Sequence, residues 1–361
     1  MKYKKVVIKI GTSVLAKTGG TIDKSVIDSI VSGVSGLLDK GIRVVLVSSG
    51  AIGAGAGVLK LKALPESLSD LQAIASVGQN ELMHLYSEAF KRRDHIIGQI
   101  LLTQEDFNDR RRYLNIKYTI DTLLDKKIVP IVNENDTVST EEIKCGDNDR
   151  LSSLVADLGG ADLLMILSDV DGLYDREGKV ITVVEDVSDD ITKIAGKKTS
   201  TLTKGGMATK LEAASRVMHS GIDCVIGNGR KENIIESLMD REGIHTYFKA
   251  KPVKEKAKKR WIAYSSKVKG KIVVDDGAKK ALAKGNKSLL SSGITGKEGG
   301  FKAGDVVGIV DSKRKEFARG LTNYSSNEVE RIKGRKTSEI ESVLGYKDHD
   351  EVVHRDNLVL L

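Results

Sequence analysis

Apolar positions along this chain follow two alternating rhythms. Lys4–Ile10 is a run rich in β-branched residues, closed by Gly11-Thr12-Ser13, and it predicts a buried strand. Beyond Thr21 and Asp23, either of which suits a helix cap, Val26, Ile27, Ile30, Val31, Val34, Leu37 and Leu38 form a helical stripe that ends at Gly41. Arg43–Val47 predicts the next strand, and the small residues Ser48–Gly55 predict a turn. Strand, helix and strand in such short order make a βαβ unit, hence a parallel sheet with right-handed crossovers. The alternation continues through a helix over Ser69–Arg92, a strand over Ile96–Leu102, a helix over Tyr113–Asp125 and a strand over Ile128–Val132. Arg150–Asp157 predicts a helix, Leu163–Leu167 a strand, Ala208–His219 a helix and Ile222–Ile226 a strand. With only three prolines in 361 residues, the helices run uninterrupted.

Near residue 250 the texture changes. Lys251–Arg260 is a charged stretch, and after it come short strand-like pieces at Lys271–Val274, Ser288–Leu290, Val306–Val310 and Glu316–Arg319, with frequent glycines. Three parts are expected: an α/β domain over 1–250, a linker over 251–270 and a small β-rich domain over 271–361. Charge divides the same way. Residues 251–361 hold 25 Lys and Arg against 15 Asp and Glu, so the net +8 of the chain belongs to its last third. Two cysteines, Cys145 and Cys224, provide no disulfide framework, and the default is a reducing, cytoplasmic setting. No apolar run approaches the roughly 18 residues of a membrane span. The opening MKYKKVVIKIG lacks the longer apolar region and cleavage site of a signal peptide.

Candidate chemistry gathers after the strands. Ile131–Leu151 holds Asn133-Glu134-Asn135-Asp136 and Asp147-Asn148-Asp149, both too polar for a core and the first directly after a predicted strand. Ligands of open α/β sheets bind outside strand C-terminal ends; the same composition also suits a solvated acidic loop. Lys9 stands near the end of the first strand, before a glycine turn whose N–H groups could cradle phosphate oxygens, although Lys-x-Gly is common. Lys204-Gly205-Gly206-Met207-Ala208-Thr209-Lys210 is a glycine turn opening a helix, a place that favours anions but equally an ordinary helix entry. Asp169–Tyr174 follows a buried strand, and a plain turn explains its Asp-Gly.

Taken together, two lysines, the glycine turns and an acidic-amide stretch at strand C-terminal ends point to phosphoryl transfer onto an amine-bearing acceptor. Such transfer rests on positioning and charge neutralisation. An acceptor carboxylate, with a pKa of about 4.3, is already ionised at pH 7 and needs no general base. Its obstacle is repulsion from the triphosphate, about 4 kcal/mol for unit charges ~4 Å apart at an effective dielectric of about 20. Two lysines and a divalent cation match that cost. By this logic the acidic stretch holds the ammonium group of the acceptor, with one aspartate fixing the lysines.

The segments KIGTSVL (9–15), VSSGAIGAG (47–55), VGQNELM (77–83), VPIVNENDTV (129–138), IKCGDNDRLS (143–152), LSDVDGLY (167–174) and GGMATK (205–210) together resemble the glutamate 5-kinase branch of the amino-acid kinase family. SLLSSGITGKEGGFKAGDVV (288–307), VLGY (343–346) and VVHRDN (352–357) resemble the PUA domain that many bacterial members carry. The resemblance implies an αβα sandwich with a largely parallel central sheet, plus a small β-rich C-terminal PUA domain. It implies phosphorylation of the γ-carboxylate of L-glutamate by ATP with Mg²⁺, the metal riding on the ATP phosphates rather than on a protein site. By motif, Lys9 and Lys210 would stabilise the transferring phosphoryl group and Asp149 would organise them. Ser49, Asn133, Asp136, Asp147 and Asn148 would bind glutamate, with Asp136 on its α-amino group. Lys9, Gly11, Ser168, Asp169 and Lys204, Gly205, Gly206, Met207, Ala208, Thr209 and Lys210 would line the nucleotide site. Lys204 departs from the family pattern, which has threonine there. The resemblance also implies feedback inhibition by proline, a glutamyl-phosphate reductase that consumes the product, and a homo-oligomer, dimer or tetramer. Within the same fold, an acetylglutamate kinase or aspartokinase is the alternative, opposed by the paired NEND and GDND clusters and the PUA-like tail. An RNA-binding role for the basic tail is the reading from another class, disfavoured by its scarcity of stacking aromatics.

Overall fold

The structure, a computed structural model, describes residues 2–17, 21–139, 148–188, 191, 206–252, 259, 261–265, 267–284 and 287–361. The chain folds as two units, Met1–Val253 and Lys254–Leu361.

The first unit is built on an eight-stranded sheet in the order β3-β4-β2-β1-β5-β7-β8-β6. Its strands are β1 (Lys5–Ile10), β2 (Arg43–Ser48), β3 (Ile96–Leu102), β4 (Ile128–Glu134), β5 (Leu163–Ser168), β6 (Val183–Val184), β7 (Asp223–Asn228) and β8 (Thr246–Phe248). Every pairing is parallel except β7 with β8, which is antiparallel. A single helical turn, α1 (Thr12–Leu15), follows β1, and α5 (Gln104–Asn108) and α6 (Arg110–Asp125) lead from β3 to β4. Val6, Ile8 and Ile10 of β1 face a core shared with α2 (Lys24–Asp39), through Ile27, Ile30 and Val34, and with α4 (Leu68–Lys91), through Leu82, Tyr86 and Phe90. The opposite face of β1 is covered by α7 (Asn148–Gly159), and α8 (Met207–His219) packs beside α7.

β1 is central, with β2 paired on one side and β5 on the other. Gly11 N donates to Leu167 O of β5 at 3.1 Å, and Ser49 N, just past β2, donates to Ile10 O at 3.1 Å. The loops that follow β1, β2 and β5 therefore part at one crevice, where such sheets bind ligands.

Two elements differ from the sequence expectation in ways that shape this crevice. Ser48–Gly55 is not a turn throughout. Gly50, at φ +101°, makes the turn, and a helix, α3, occupies Ala51–Val58. Gly55 of α3 lies directly against α4. A Cβ at Gly55 would stand 2.0 Å from Ile74 O, and one at Gly78 would stand 1.8 Å from Ala51 O. Helix α7 begins at Asn148 rather than Arg150, so Asn148 and Asp149 lie in its first turn.

The second unit carries a five-stranded sheet, β10-β9-β11-β12-β13. Its strands are β9 (Gly270–Val274), β10 (Ile294–Glu298), β11 (Val306–Val310), β12 (Glu316–Leu321) and β13 (Leu358–Leu360). Only β9 with β11 is parallel. Ser288–Leu290 forms no strand; Leu289 makes an isolated bridge to Val353. The core includes Ile272, Val307, Ile309, Tyr324, Val329 and Val352. Trp261, Ile262 and Ala263, within the stretch expected as linker, are buried, and Arg319 donates to Ala263 O at 2.6 Å.

Candidate active site

Strand alternation decides where Lys9 goes. With Val6, Ile8 and Ile10 in the core on one face, Lys9 falls on the other, under α7. It is only 4% exposed. A buried ammonium is costly unless it is paired, and Asp149 is a partner of Lys9. Lys9 Nζ lies 2.6 Å from Asp149 Oδ1. Lys210, in the first turn of α8, places Nζ 3.3 Å from Asp149 Oδ2, and Thr209 Oγ1 donates to the same oxygen at 2.8 Å. Asp149 has no exposed surface. Burial alone would push its carboxyl up, but the ammonium groups of Lys9 and Lys210 outweigh that and hold it below its ordinary value. A carboxylate in the first turn of α7 also suits the positive end of the helix. Counted by themselves, the three charges sum to +1, in surroundings poor in water. Such a group attracts an anion.

A second cluster adjoins it. Asn148 Nδ2 reaches Ser48 O at 2.7 Å, Ser49 Oγ at 2.8 Å and Asn133 Oδ1 at 2.9 Å. Asn133, at the end of β4, also accepts from Glu134 N at 2.9 Å and donates through Nδ2 to Gln79 Oε1 at 2.7 Å. These bonds link β2, β4, α4 and α7. They fix each amide by its donors and acceptors. Gln79 Nε2 is shielded from water and has no hydrogen-bond partner among the described residues; leaving such a donor unmet costs about 1–3 kcal/mol. Beyond β4, Asp136 is half-buried, and burial together with the neighbouring Glu134 carboxylate pushes its pKa up to about 7.

A third set of contacts ties the neighbouring loops. Ser168 ends β5, buried, and donates to the exposed Asp169 at 3.1 Å. Past β7, Arg230 donates to Ser13 O at 2.9 Å and also to Ala16 O, in the segment after β1. Lys231 Nζ and Asn228 Nδ2 reach Asp171 Oδ1 at 2.8 and 3.2 Å. The segments after β1, β5 and β7 thus form one belt.

Of the residues singled out from sequence, Lys9, Asp149 and Lys210 meet directly, and Ser49, Asn133 and Asn148 meet one another. Gly11 follows β1, Ser168 and Asp169 follow β5, and Gly206 is the N-cap of α8, with Met207, Ala208 and Thr209 in its first turn. The Thr209 hydroxyl is engaged by Asp149 and Gly206 O. Asp147, Lys204 and Gly205 lie outside the described residues. Sequence reasoning did not single out Gln79, Arg230 or Lys231 as site residues. Gln79 carried two signals, its place in the family-like segment VGQNELM (77–83) and its position beside a glycine within a long apolar-striped helix. The other two resemble ordinary surface cations.

Comparison with known proteins gives consistent matches. Residues 4–228 match the model of the amino acid kinase family, and residues 270–344 match that of the PUA domain. A glutamate 5-kinase from Thermoanaerobacter sp. (strain X514) is 48% identical over 363 residues, covering 99% of this chain and 98% of its own. One from Caldanaerobacter subterraneus subsp. tengcongensis is 49% identical with the same coverage. Among solved structures, carbamate kinase from Giardia lamblia bound to AMP-PNP aligns with a TM-score of 0.50 at 16% identity, covering 68% of this chain and 98% of that one; this likeness is one of fold.

Proposed function

The chain belongs to the amino acid kinase family, a family of phosphotransferases, and from that membership we propose that it transfers the γ-phosphoryl group of ATP to the γ-carboxylate of L-glutamate, giving L-glutamyl 5-phosphate, the first step of proline biosynthesis. The observation that carries this reading is Asp149, which braces two buried lysines beside the cluster of Ser49, Asn133 and Asn148.

The chemistry follows from the charges. An oxygen of the γ-carboxylate forms the new bond to phosphorus, the bond to the β–γ bridging oxygen breaks, and its electron pair leaves on ADP. Lys9 and Lys210 neutralise charge on the phosphoryl oxygens as it develops, and Asp149 holds both in place before the substrate arrives. Ser49, Asn133, Asn148, Asp136 and Asp147 are assigned to the acceptor amino acid. Lys9, Gly11, Ser168, Asp169 and the segment 204–210 are assigned to the nucleotide. Among the described residues no three His, Cys, Asp or Glu side chains group as metal ligands. Mg²⁺ is assigned to the phosphates of ATP, where it would supply further neutralising charge.

Asp136 gives the reading a pH signature. A carboxyl whose folded pKa is raised, here from 3.8 to about 7, holds its proton longer in the folded state and costs stability as the pH rises between those values. Binding an ammonium group requires the ionised form. KM for glutamate should therefore fall about tenfold from pH 6 to pH 8, with a midpoint near 7, following the ionised fraction. Asp136→Asn should raise KM, flatten this profile and leave the free protein more stable at pH 8. Steady-state kinetics and thermal unfolding across pH measure both. A profile unchanged in the variant would remove Asp136 from the ammonium site.

Proline shares the α-amino and α-carboxylate groups of glutamate, which supports competition at the same cleft as feedback inhibition. The acyl phosphate product is labile, which supports a reductase, a glutamyl-phosphate reductase, as its consumer. Strand β3, the sheet edge, exposes Ile96 and Leu101, which supports a homo-oligomer, dimer or tetramer. No helix among the described residues is long and apolar enough to cross a membrane, and the place proposed for the enzyme is the cytoplasm. A panel of L-glutamate, N-acetyl-L-glutamate and L-aspartate with ATP tests the substrate: preference for either alternative would overturn the assignment.

A further inference from the structure

We propose that Gln79 completes the amino-acid pocket: its carbonyl oxygen orients Asn133, and its amide N–H groups are held for the α-carboxylate of the bound amino acid. This rests on the reading of the cleft as an amino-acid site.

The direction of the hydrogen bonds leads there. Asn133 Oδ1 already accepts from Glu134 N and Asn148 Nδ2, so Asn133 has only its Nδ2 end to offer Gln79. Gln79 must therefore present Oε1 to it. Flipping the Gln79 amide would set two donors against each other. The Nε2 end is what remains, shielded from water and without a partner among the described residues. Gln79 is also held firmly. Its neighbour Gly78 is the residue at which α4 presses on the backbone of Ala51, two positions after Ser49. Gln79 thus belongs to the same rigid corner as Ser49, Asn133 and Asn148. The γ-carboxylate of the substrate has to face Lys9 and Lys210 to react. The α-carboxylate lies at the other end of the molecule and needs donors of its own. A neutral amide supplies them without drawing the triphosphate into the acceptor pocket.

Two substitutions separate this role from a merely structural one. Gln79→Glu keeps an acceptor for Asn133 but replaces the donor with negative charge. Gln79→Met removes both functions at similar volume. Each is assayed in the full chain with L-glutamate and with its α-amide, L-isoglutamine, for kcat and for the KM of amino acid and of ATP. Gln79→Met should raise KM for glutamate about tenfold and Gln79→Glu about a hundredfold, the sizes of a lost charge-assisted bond and of that loss with repulsion added. The KM for ATP should stay within about twofold, since uniform binding of one substrate is what is lost. With isoglutamine, whose amide can donate to the new carboxylate, the Gln79→Glu penalty should shrink to about threefold or less. A wild-type glutamate KM in Gln79→Glu would overturn the proposal alone, leaving Gln79 as a support for Asn133. Equal penalties for glutamate and isoglutamine would also overturn it, because no carboxylate contact would then exist. Failure of the unsubstituted chain to phosphorylate either compound would overturn the amino-acid reading of the cleft and the proposal with it.

Discussion

Replacing Asp149 with asparagine should lower kcat at least a thousandfold, roughly the order attached to a preorganised electrostatic group, while leaving KM for glutamate within a few-fold. The substitution keeps the shape and removes only charge. Lys9 and Lys210, with 5% and 9% of their side chains exposed, would then face an amide in place of the carboxylate. Breaking a buried ion pair from one side costs about 3–5 kcal/mol, because the remaining charge is left uncompensated. The variant should therefore unfold at a clearly lower temperature. Lys210→Ala is the milder change. It leaves Lys9 paired with Asp149, and it should cost about two decades of kcat, near 3 kcal/mol of barrier, with glutamate binding intact. Rapid-quench turnover alongside thermal melting measures both effects. An Asp149→Asn enzyme within tenfold of normal turnover would remove Asp149 as the brace of the lysines.

Gly78→Ala should destabilise the first unit by about 3 kcal/mol or more, the upper range for overpacking a filled contact. The added Cβ would stand 1.8 Å from Ala51 O and 2.2 Å from Gly55 N, and neither is a flexible side chain that can step aside. The sign separates packing from propensity. Alanine is the better helix former by about 1 kcal/mol, so propensity alone would stabilise α4. Gly36→Ala on α2 is the control. Its Cβ would meet only Glu236 Oε1, at 3.4 Å, and it should be neutral or slightly stabilising. Forcing α3 and α4 apart would also move Ser49 and Gln79, so KM for glutamate should rise in any Gly78→Ala protein that still folds. Thermal or denaturant unfolding of the two variants decides this; a stabilised Gly78→Ala would contradict the close crossing.

The same glycines explain what the chain concealed. The central strands were legible because β1, β2, β4, β5 and β7 are apolar on both faces and bounded by glycines or polar residues. Helix α3 was not. Gly53 and Gly55 read as turn residues, yet in this helix Gly55 makes room for the backbone of α4. Helix α7 was placed two residues late because Asn148 and Asp149, buried in its first turn, read as part of the polar acidic stretch before it. Among site residues, Lys9 was visible because a lysine in a buried strand needs a partner, and Asp149 because acidic residues bordered a predicted helix. That Asp149 meets the lysines was implied only by the family resemblance; periodicity and spacing do not show it, since the pairing spans 140 positions and depends on α7 lying across β1. Gln79 acquires its part only through the hydrogen bond to Asn133, 54 positions away. The short strands β6 and β8, of two and three residues, lack the length for any periodicity.

The central claim is that a carboxylate oxygen of glutamate attacks the γ-phosphorus of ATP. Its most direct measurement follows isotope rather than rate. L-glutamate labelled with ¹⁸O in the γ-carboxylate is incubated with the enzyme, Mg²⁺-ATP and hydroxylamine. Hydroxylamine captures an acyl phosphate at its carbonyl carbon and expels phosphate together with the former carboxylate oxygen. The expected result is γ-glutamyl hydroxamate together with inorganic phosphate that carries one ¹⁸O per molecule. Phosphate released without ¹⁸O would mean that the γ-phosphoryl group went to water or to another acceptor, and the account given for Lys9, Lys210 and Asp149 would be wrong.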